Sequence, residues 1–181
     1  LQWPSYEALS RIIRLSMSSG LLPAPCKAIV VDLDGVLFDV SRRLELCLKE
    51  AGGRKGRQFW SCFQSKKYMH LDAVNEDAAE YVRRKYAEGY CVIIITGRDE
   101  EQQSDMTQEL LRHYRIPYND IVFRKKGDYR KAVEFKAEAL DELAKAGVEV
   151  VELIDDDPAV VEMAAKRGIK AILYDHGFND T

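Results

Sequence analysis

Residues Ala28 to Asp39 read AIVVDLDGVLFD, an aliphatic run that ends in three carboxylates, Asp32, Asp34 and Asp39, within eight residues. The aliphatic half has the makeup of a strand entering a core. The acidic half is out of place there, because carboxylates are costly to bury unless they are paired or hold a metal. On this stretch alone, a strand followed by an acidic turn explains the pattern equally well. The remainder of the chain decides between the two.

From Lys27 onward, short apolar runs alternate with longer amphipathic ones. The short runs are CKAIVVD, YCVIIIT, DIVF, VEVVELID and IKAILY. Between the later ones lie EDAAEYVRRKYAEG, EEQQSDMTQELLRHYR, RKAVEFKAEALDELAKAG and DPAVVEMAAKRG, with Gly89, Gly147 and Gly168 where helices would end. Aliphatic strands alternating with helices indicate an α/β fold with a mostly parallel sheet. Residues 3–18 carry Leu9, Ile12, Ile13 and Met17 at helical spacing, so residues 1–26 are expected to form a helical extension. The core spans 27–175, and 176–181 form a tail. One segment breaks the alternation. Residues 40–71 are rich in Arg and Lys and hold Phe59, Trp60, Phe63 and Tyr68, which reads as a small basic helical cap inserted after the first strand.

The 181 residues, 46% hydrophobic with a formal charge of -3, describe a globular chain and exclude a broadly basic nucleic-acid-coating protein. No apolar run approaches membrane-spanning length and nothing resembles a signal peptide, so a cytoplasmic protein without membrane contact is expected. Cys26, Cys47, Cys62 and Cys91 form no CxxC pair, and reduced cysteines are the default in that compartment.

In open α/β sheets, ligands bind beyond the carboxyl ends of the strands. There the first run delivers Asp32 and Asp34, the second Thr96, Gly97 and Arg98, and the fourth Asp155, Asp156 and Asp157. Acids sent to one rim from separate strands repel unless a cation lies among them, and hard oxygen donors of this kind suit Mg²⁺. A divalent metal with a hydroxyl and a cation nearby suits a phosphoryl group. Several residues also have plainer readings. Asp157 before Pro158 is a good helix N-cap, Thr96 has local backbone to bond, and Lys136 within EFKAEALDEL has glutamates to pair with. The group Arg124, Lys125, Lys126, Arg130 and Lys131 offers positive charge on the rim side for an anionic substrate.

DxDG, TGR and IDDD, in this order, resemble the motifs of the haloacid-dehalogenase-like (HAD-like) phosphohydrolases. In particular, GYCVIIITGRDE, KKGDYRKAVEFK and LIDDDPAVVEMAAKRGIKAI resemble the 3'-phosphatase domain of phage-type polynucleotide kinase–phosphatases and its stand-alone relatives. The resemblance implies a three-layer Rossmann-like fold and an aspartyl-phosphate mechanism. Asp32 would be the nucleophile and Asp34 the general acid and base. The metal would be held by Asp32, the Asp34 carbonyl and Asp156, with Asp155 beside it. Thr96, Gly97 and Lys136 would contact the phosphate, and Arg43, Arg98 and Arg130 the substrate. The expected substrate is a phosphorylated nucleic-acid 3' end or a nucleotide. A kinase or ligase would act as a partner chain, since no P-loop is present. Two departures stand out: Asp157 where that family usually has Arg after the two aspartates, and Val36 in place of the commoner Thr. The rivals are a mononucleotide or small-metabolite phosphatase of the same superfamily and a non-catalytic nucleic-acid or protein binding module.

Overall fold

The computed structural model describes residues 26–178. In chain order, β1 (Lys27–Val31) leads to β2 (Phe38–Asp39), helices α1 (Ser41–Glu50) and α2 (Arg57–Phe63), a 3-10 turn (Met69–Leu71) and β3 (Ala73–Val74). Then follow α3 (Glu76–Ala87), β4 (Cys91–Asp99), α4 (Glu100–His113), β5 (Asp120–Arg124), α5 (Ala132–Lys145), β6 (Glu149–Asp155), α6 (Pro158–Lys166) and β7 (Lys170–Leu173). The expected helix over residues 3–18 and the last residues of the tail, 179–181, lie outside the described residues.

The five apolar runs become one parallel sheet in the order β5-β4-β1-β6-β7. Both of its faces are covered, which is why the runs are apolar throughout rather than alternating with polar residues. Successive residues of a strand point to opposite faces. Ile29, Val31, Val92 and Ile94 therefore pack with Ala79 and Val82 of α3 and Leu111 of α4. Ala28, Val30, Ile93 and Ile95 pack with Leu140 and Leu143 of α5 and Val160 and Ala164 of α6. This is the expected three-layer α/β arrangement, and among the described residues no helix is long and apolar enough to cross a membrane.

The register sets where the chemistry falls. Val31 of β1 pairs with Ile94 of β4 on one side and Ile154 of β6 on the other. β1 and β6 thus end level while β4 runs on to Asp99, and Asp32, Thr96 and Asp155 come to one edge. The chain runs from β1 outward to β5 and then crosses back to β6, so this edge lies where the strand order reverses.

The segment between β1 and α3 is the expected helical insert. Its two ends are drawn together by the antiparallel ribbon of β2 and β3, where Phe38 pairs with Val74 and Asp39 with Ala73. Inside the insert, Cys47, Phe59 and Cys62 form a small core of their own. The cysteines differ from expectation: Cys26 is joined to Cys91 and Cys47 to Cys62, with Cα atoms 6.3 and 5.6 Å apart. The irregular spacing concealed both pairs because each is made by tertiary contact. One joins the starts of neighbouring strands, the other the two insert helices.

Ile94 is fully buried in the central strand β4 and lies against α3 and α4. Truncation to Ala leaves a cavity that stiff neighbours cannot fill. Urea titration of Ile94→Ala is expected to show a loss of about 2–5 kcal/mol.

Candidate active site

Asp32 is the first residue past β1, and its amide continues the ladder by donating to the Ile154 carbonyl at 3.0 Å. Its side chain is buried with Lys136 of α5 and Asp155 of β6. Lys136 Nζ lies 3.1 Å from Asp32 Oδ1 and 2.6 Å from Asp155 Oδ2. Asp32 Oδ1 also accepts from the Leu33 amide at 2.8 Å, and Asp155 Oδ1 accepts from the Asp157 amide at 3.0 Å. Lys136 is thus a buried counter-ion to the strand-end acids rather than a surface partner of the helix glutamates.

Asp156 completes the cluster. Oxygens of Asp32, Asp155 and Asp156 all lie within 4.8 Å of one another. Three carboxylates facing one ammonium leave an excess of negative charge, and the acids respond. Burial first, and then the neighbouring Asp155, push the Asp32 carboxyl well above the ordinary range. Burial likewise lifts Asp156, to about 6. The Lys136 pKa is raised as well: burial works against this, but the attraction of Asp32 and then Asp155 outweighs it and holds the proton more tightly. Clustered oxygen donors short of positive charge suit a divalent cation such as Mg²⁺.

Asp34, two residues on, belongs to a different group. The chain reverses after Leu33, whose carbonyl accepts from the amides of Val36 and Phe38. Asp34 Oδ1 then receives Arg98 Nε at 2.8 Å, Arg98 Nη2 at 2.7 Å and Arg43 Nη2 at 3.2 Å. The same two guanidiniums grip Asp72: Arg43 Nε bonds its Oδ1 at 3.0 Å and Arg98 Nη2 its Oδ2 at 2.9 Å. Arg98 also donates to Thr107 Oγ1 at 3.0 Å, and Arg43 to the Phe63 carbonyl at 2.7 Å. The side chains of Arg43, Arg98 and Asp72 are fully buried, whereas that of Asp34 is 24% exposed. Asp34 is therefore the open tip of a buried four-charge array. Burial raises its pKa, but Arg98 and then Arg43 outweigh that and hold it below the ordinary carboxylate range.

Thr96 is buried, and its Oγ1 accepts from the Arg98 amide at 3.1 Å, which leaves the hydroxyl proton available to a ligand. Gly97 has the Arg124 guanidinium alongside: a side chain built there would lie 3.7 Å from Nη2. Arg130 turns toward Asp128, 2.7 Å away, and Glu138, and is not brought into either acid group. Asp157 caps α6, accepting from the Ala159 amide at 2.9 Å with Pro158 in the first turn. The expected substrate contacts Arg43 and Arg98 have their guanidiniums turned to Asp34 and Asp72.

Sequence reading missed Asp72, Thr107 and Gln103. Asp72 ends the insert as one acid among several in HLDAVNED, and the other two lie on an amphipathic helix among many polar residues. No local signal separates them from solvated neighbours.

Gly35 has no room for a substitute. Its φ is +83°, and a Cβ there would stand 2.1 Å from Asp156 Oδ2. Gly35→Ala is expected to cost about 1–2 kcal/mol for the left-handed backbone alone. It should also displace Asp156 and weaken divalent-cation binding at least about 10-fold, as read by calorimetric titration with Mg²⁺ or Mn²⁺.

The family comparison matches residues 26–177 to the phosphatase domain of the polynucleotide kinase PNKP. No curated protein matches. Among solved structures, a chain of the Pnkp1/Rnl/Hen1 complex aligns with a TM-score of 0.64 at 24% identity, covering 88% of this chain and 49% of that one. This chain thus spans about half the length of that relative. A haloacid dehalogenase-like hydrolase from Streptococcus pneumoniae aligns with a TM-score of 0.61 at 18% identity, covering 85% and 88% of the two chains. A class C acid phosphatase from Bacillus anthracis, solved with tungstate, follows at 0.53 and 18%, covering 83% and 61%. With the match running from the start of β1 past the end of β7 and all three acidic and hydroxyl motifs inside it, the chain belongs to the PNKP phosphatase-domain family of the HAD-like hydrolases.

Proposed function

We propose that the protein is a Mg²⁺-dependent phosphomonoesterase that frees the 3' ends of nucleic acids from phosphate. The observation that carries the reading is the pairing of two acid groups at one edge. Asp32 lies with Lys136, Asp155 and Asp156, and Asp34 is presented by two buried arginines.

Asp32 Oδ1 is fixed by Lys136 Nζ and the Leu33 amide, which orients the carboxylate for attack on phosphorus. As the bond from Asp32 to phosphorus forms, the bond to the leaving oxygen breaks; Asp34, which Arg98 and Arg43 hold ionised in the free site, takes up a solvent proton once the anionic phosphate is bound and passes it to the departing alcohol oxygen. Water then attacks the aspartyl phosphate, giving its proton to Asp34, and Asp32 is released with inorganic phosphate. The Thr96 hydroxyl and Lys136 Nζ are the chain's own donors for the phosphate oxygens. Asp32, Asp156 and the Asp34 carbonyl would hold Mg²⁺, with Asp155 alongside. The metal would neutralise charge that builds on the phosphoryl group.

Family membership and the likeness to a component of an RNA repair complex support a nucleic-acid end as substrate. So does the insert, whose outer face exposes Arg54, Lys55, Arg57, Lys66 and a Trp60 that is 45% exposed. Cations that follow a backbone and an aromatic ring that stacks on a base are what a single-stranded end requires. A kinase or ligase acting on the same ends is the partner this reading calls for.

The test is Mg²⁺-dependent phosphate release from 3'- and 5'-phosphorylated oligonucleotides and from the corresponding mononucleotides. Release from the 3'-phosphorylated oligonucleotide should exceed the others, and Asp32→Asn should lower it by roughly 10³-fold or more. Equal rates on mononucleotides would set the nucleic-acid end aside while leaving the chemistry in place.

The pH dependence of metal binding has a definite sign. Asp156 is lifted to about 6 in the metal-free site, so below that pH a proton competes with the cation. The Mg²⁺ concentration giving half-maximal activity is expected to rise about 5-fold between pH 6 and pH 5 and to be nearly flat from 7 to 8. Without metal, the folded state binds more protons at Asp156 than the unfolded state between about pH 4 and 6. The metal-free protein therefore gains stability from this residue as pH falls through that window. Phosphate-release rates titrated with Mg²⁺ at each pH check the first trend, and melting curves of the metal-free protein check the second.

A further inference from the structure

Besides the contacts of Arg43 with Asp34 and of Asp72 with Arg98, a buried amide ties the insert to the exit of β4. Gln103, in the first turns of α4, is 1% exposed. Its Oε1 accepts from the Asp99 amide at 2.9 Å. Its Nε2 donates to the carbonyls of Phe63, at 3.1 Å, and Ser65, at 3.2 Å. These two carbonyls end α2, where a helix has no internal donors left to offer. The three bonds fix the orientation of the amide, since a reversed one would set donor against donor and acceptor against acceptor.

The Phe63 carbonyl is shared. Arg43 Nη1 reaches the same oxygen at 2.7 Å, and the Arg43 guanidinium lies 4.3 Å from the centre of the Phe63 ring. Arg43 Nη2 in turn contacts Asp34 Oδ1 at 3.2 Å. A continuous path runs from α4 through Gln103, Phe63 and Arg43 to Asp34. One turn further along α4, the buried Thr107 accepts from Arg98, the second guanidinium on Asp34. A single helix face thus steadies both arginines, directly at Thr107 and through the insert at Gln103. The Cys47–Cys62 disulfide holds α1, which carries Arg43, against α2, which carries Phe63.

We propose that Gln103 is a positioning residue: it docks the end of α2 on the exit of β4 and so keeps Arg43 on Asp34 Oδ1, which fixes the direction in which the Asp34 carboxyl faces the leaving oxygen. The proposal rests on the phosphomonoesterase reading above. Gln103 touches neither metal ligand nor phosphate. Its effect is confined to the step in which Asp34 gives up a proton.

That step can be isolated. With an alkyl leaving group, such as the 3' oxygen of a nucleotide, departure requires a proton. With p-nitrophenyl phosphate the phenolate leaves unaided. For either substrate kcat/KM reports only the events up to transfer of the phosphoryl group to Asp32, so later hydrolysis does not enter. Positioned general acids are worth about 10²–10⁴-fold. Gln103→Met, which keeps the volume and removes the amide, is expected to lower kcat/KM about 10–10²-fold on a 3'-nucleotide and less than about 3-fold on p-nitrophenyl phosphate. Phe63→Leu keeps the shared carbonyl and removes the ring under Arg43. It should show the same split to a smaller degree, and it serves if the first variant does not fold. Equal losses on both substrates would mean that Gln103 only holds the insert in place, and no loss on either would mean that Arg43 needs no such support. Either result overturns the proposal. Absence of phosphate release by the wild-type protein from both substrates would instead overturn the phosphomonoesterase reading, and this proposal with it.

Discussion

The mutual repulsion of Asp32, Asp155 and Asp156 is the constraint to which the rest of the structure answers. Strands β1 and β6 end level with each other, so these acids cannot avoid one another. Lys136, reaching in from α5, relieves part of the repulsion, and the remainder is carried as raised carboxyl pKa values. A cluster left short of positive charge in this way is unfavourable by itself and favourable toward a dication. The packing around it serves to keep it from relaxing. Gly35 brings the backbone against Asp156, and the apolar layers on both faces lock the strands that carry the acids.

The second charge group answers the opposite need. Arg43, Arg98, Asp34 and Asp72 balance two against two, and only Asp34 reaches solvent. Removing one member would strand a buried charge, which is far costlier than an exposed pair. The array is therefore a rigid mount for one carboxylate. Within a few residues of sequence, the DxDG turn delivers its first acid to a site that wants a cation and its second to a site that already has two.

How much of this could be read from the chain depended on how local the cause was. The five strands were legible because a sheet covered on both faces demands continuous aliphatic runs, and the α6 cap was legible because Asp157 and Pro158 act within one turn. The places of Asp32, Asp156 and Thr96 at strand ends were legible from the runs themselves, whereas a place for Lys136 among the acids was expected only through the family resemblance. Arg43 and Arg98 were picked out as functional residues, yet their orientation toward Asp34 depends on Asp72, which lies 29 residues from one and 26 from the other. No spacing rule announces such a partner. The cysteine pairs were hidden for the same reason.

The two-residue ribbon that closes the neck of the insert sets what a change in that segment would cost. Because Phe38 and Val74 stand side by side, a segment of different length between them would leave the pairing of the main sheet unchanged. Here that freedom is curtailed. Arg43 and Asp72, half of the mount for Asp34, are themselves encoded within the interchangeable segment. An insert taken from a relative would bring its own outer surface, but it would leave Asp34 held as here only if it returned an arginine and an aspartate to the same two places. The surface of the insert and the setting of Asp34 are in this way inherited together.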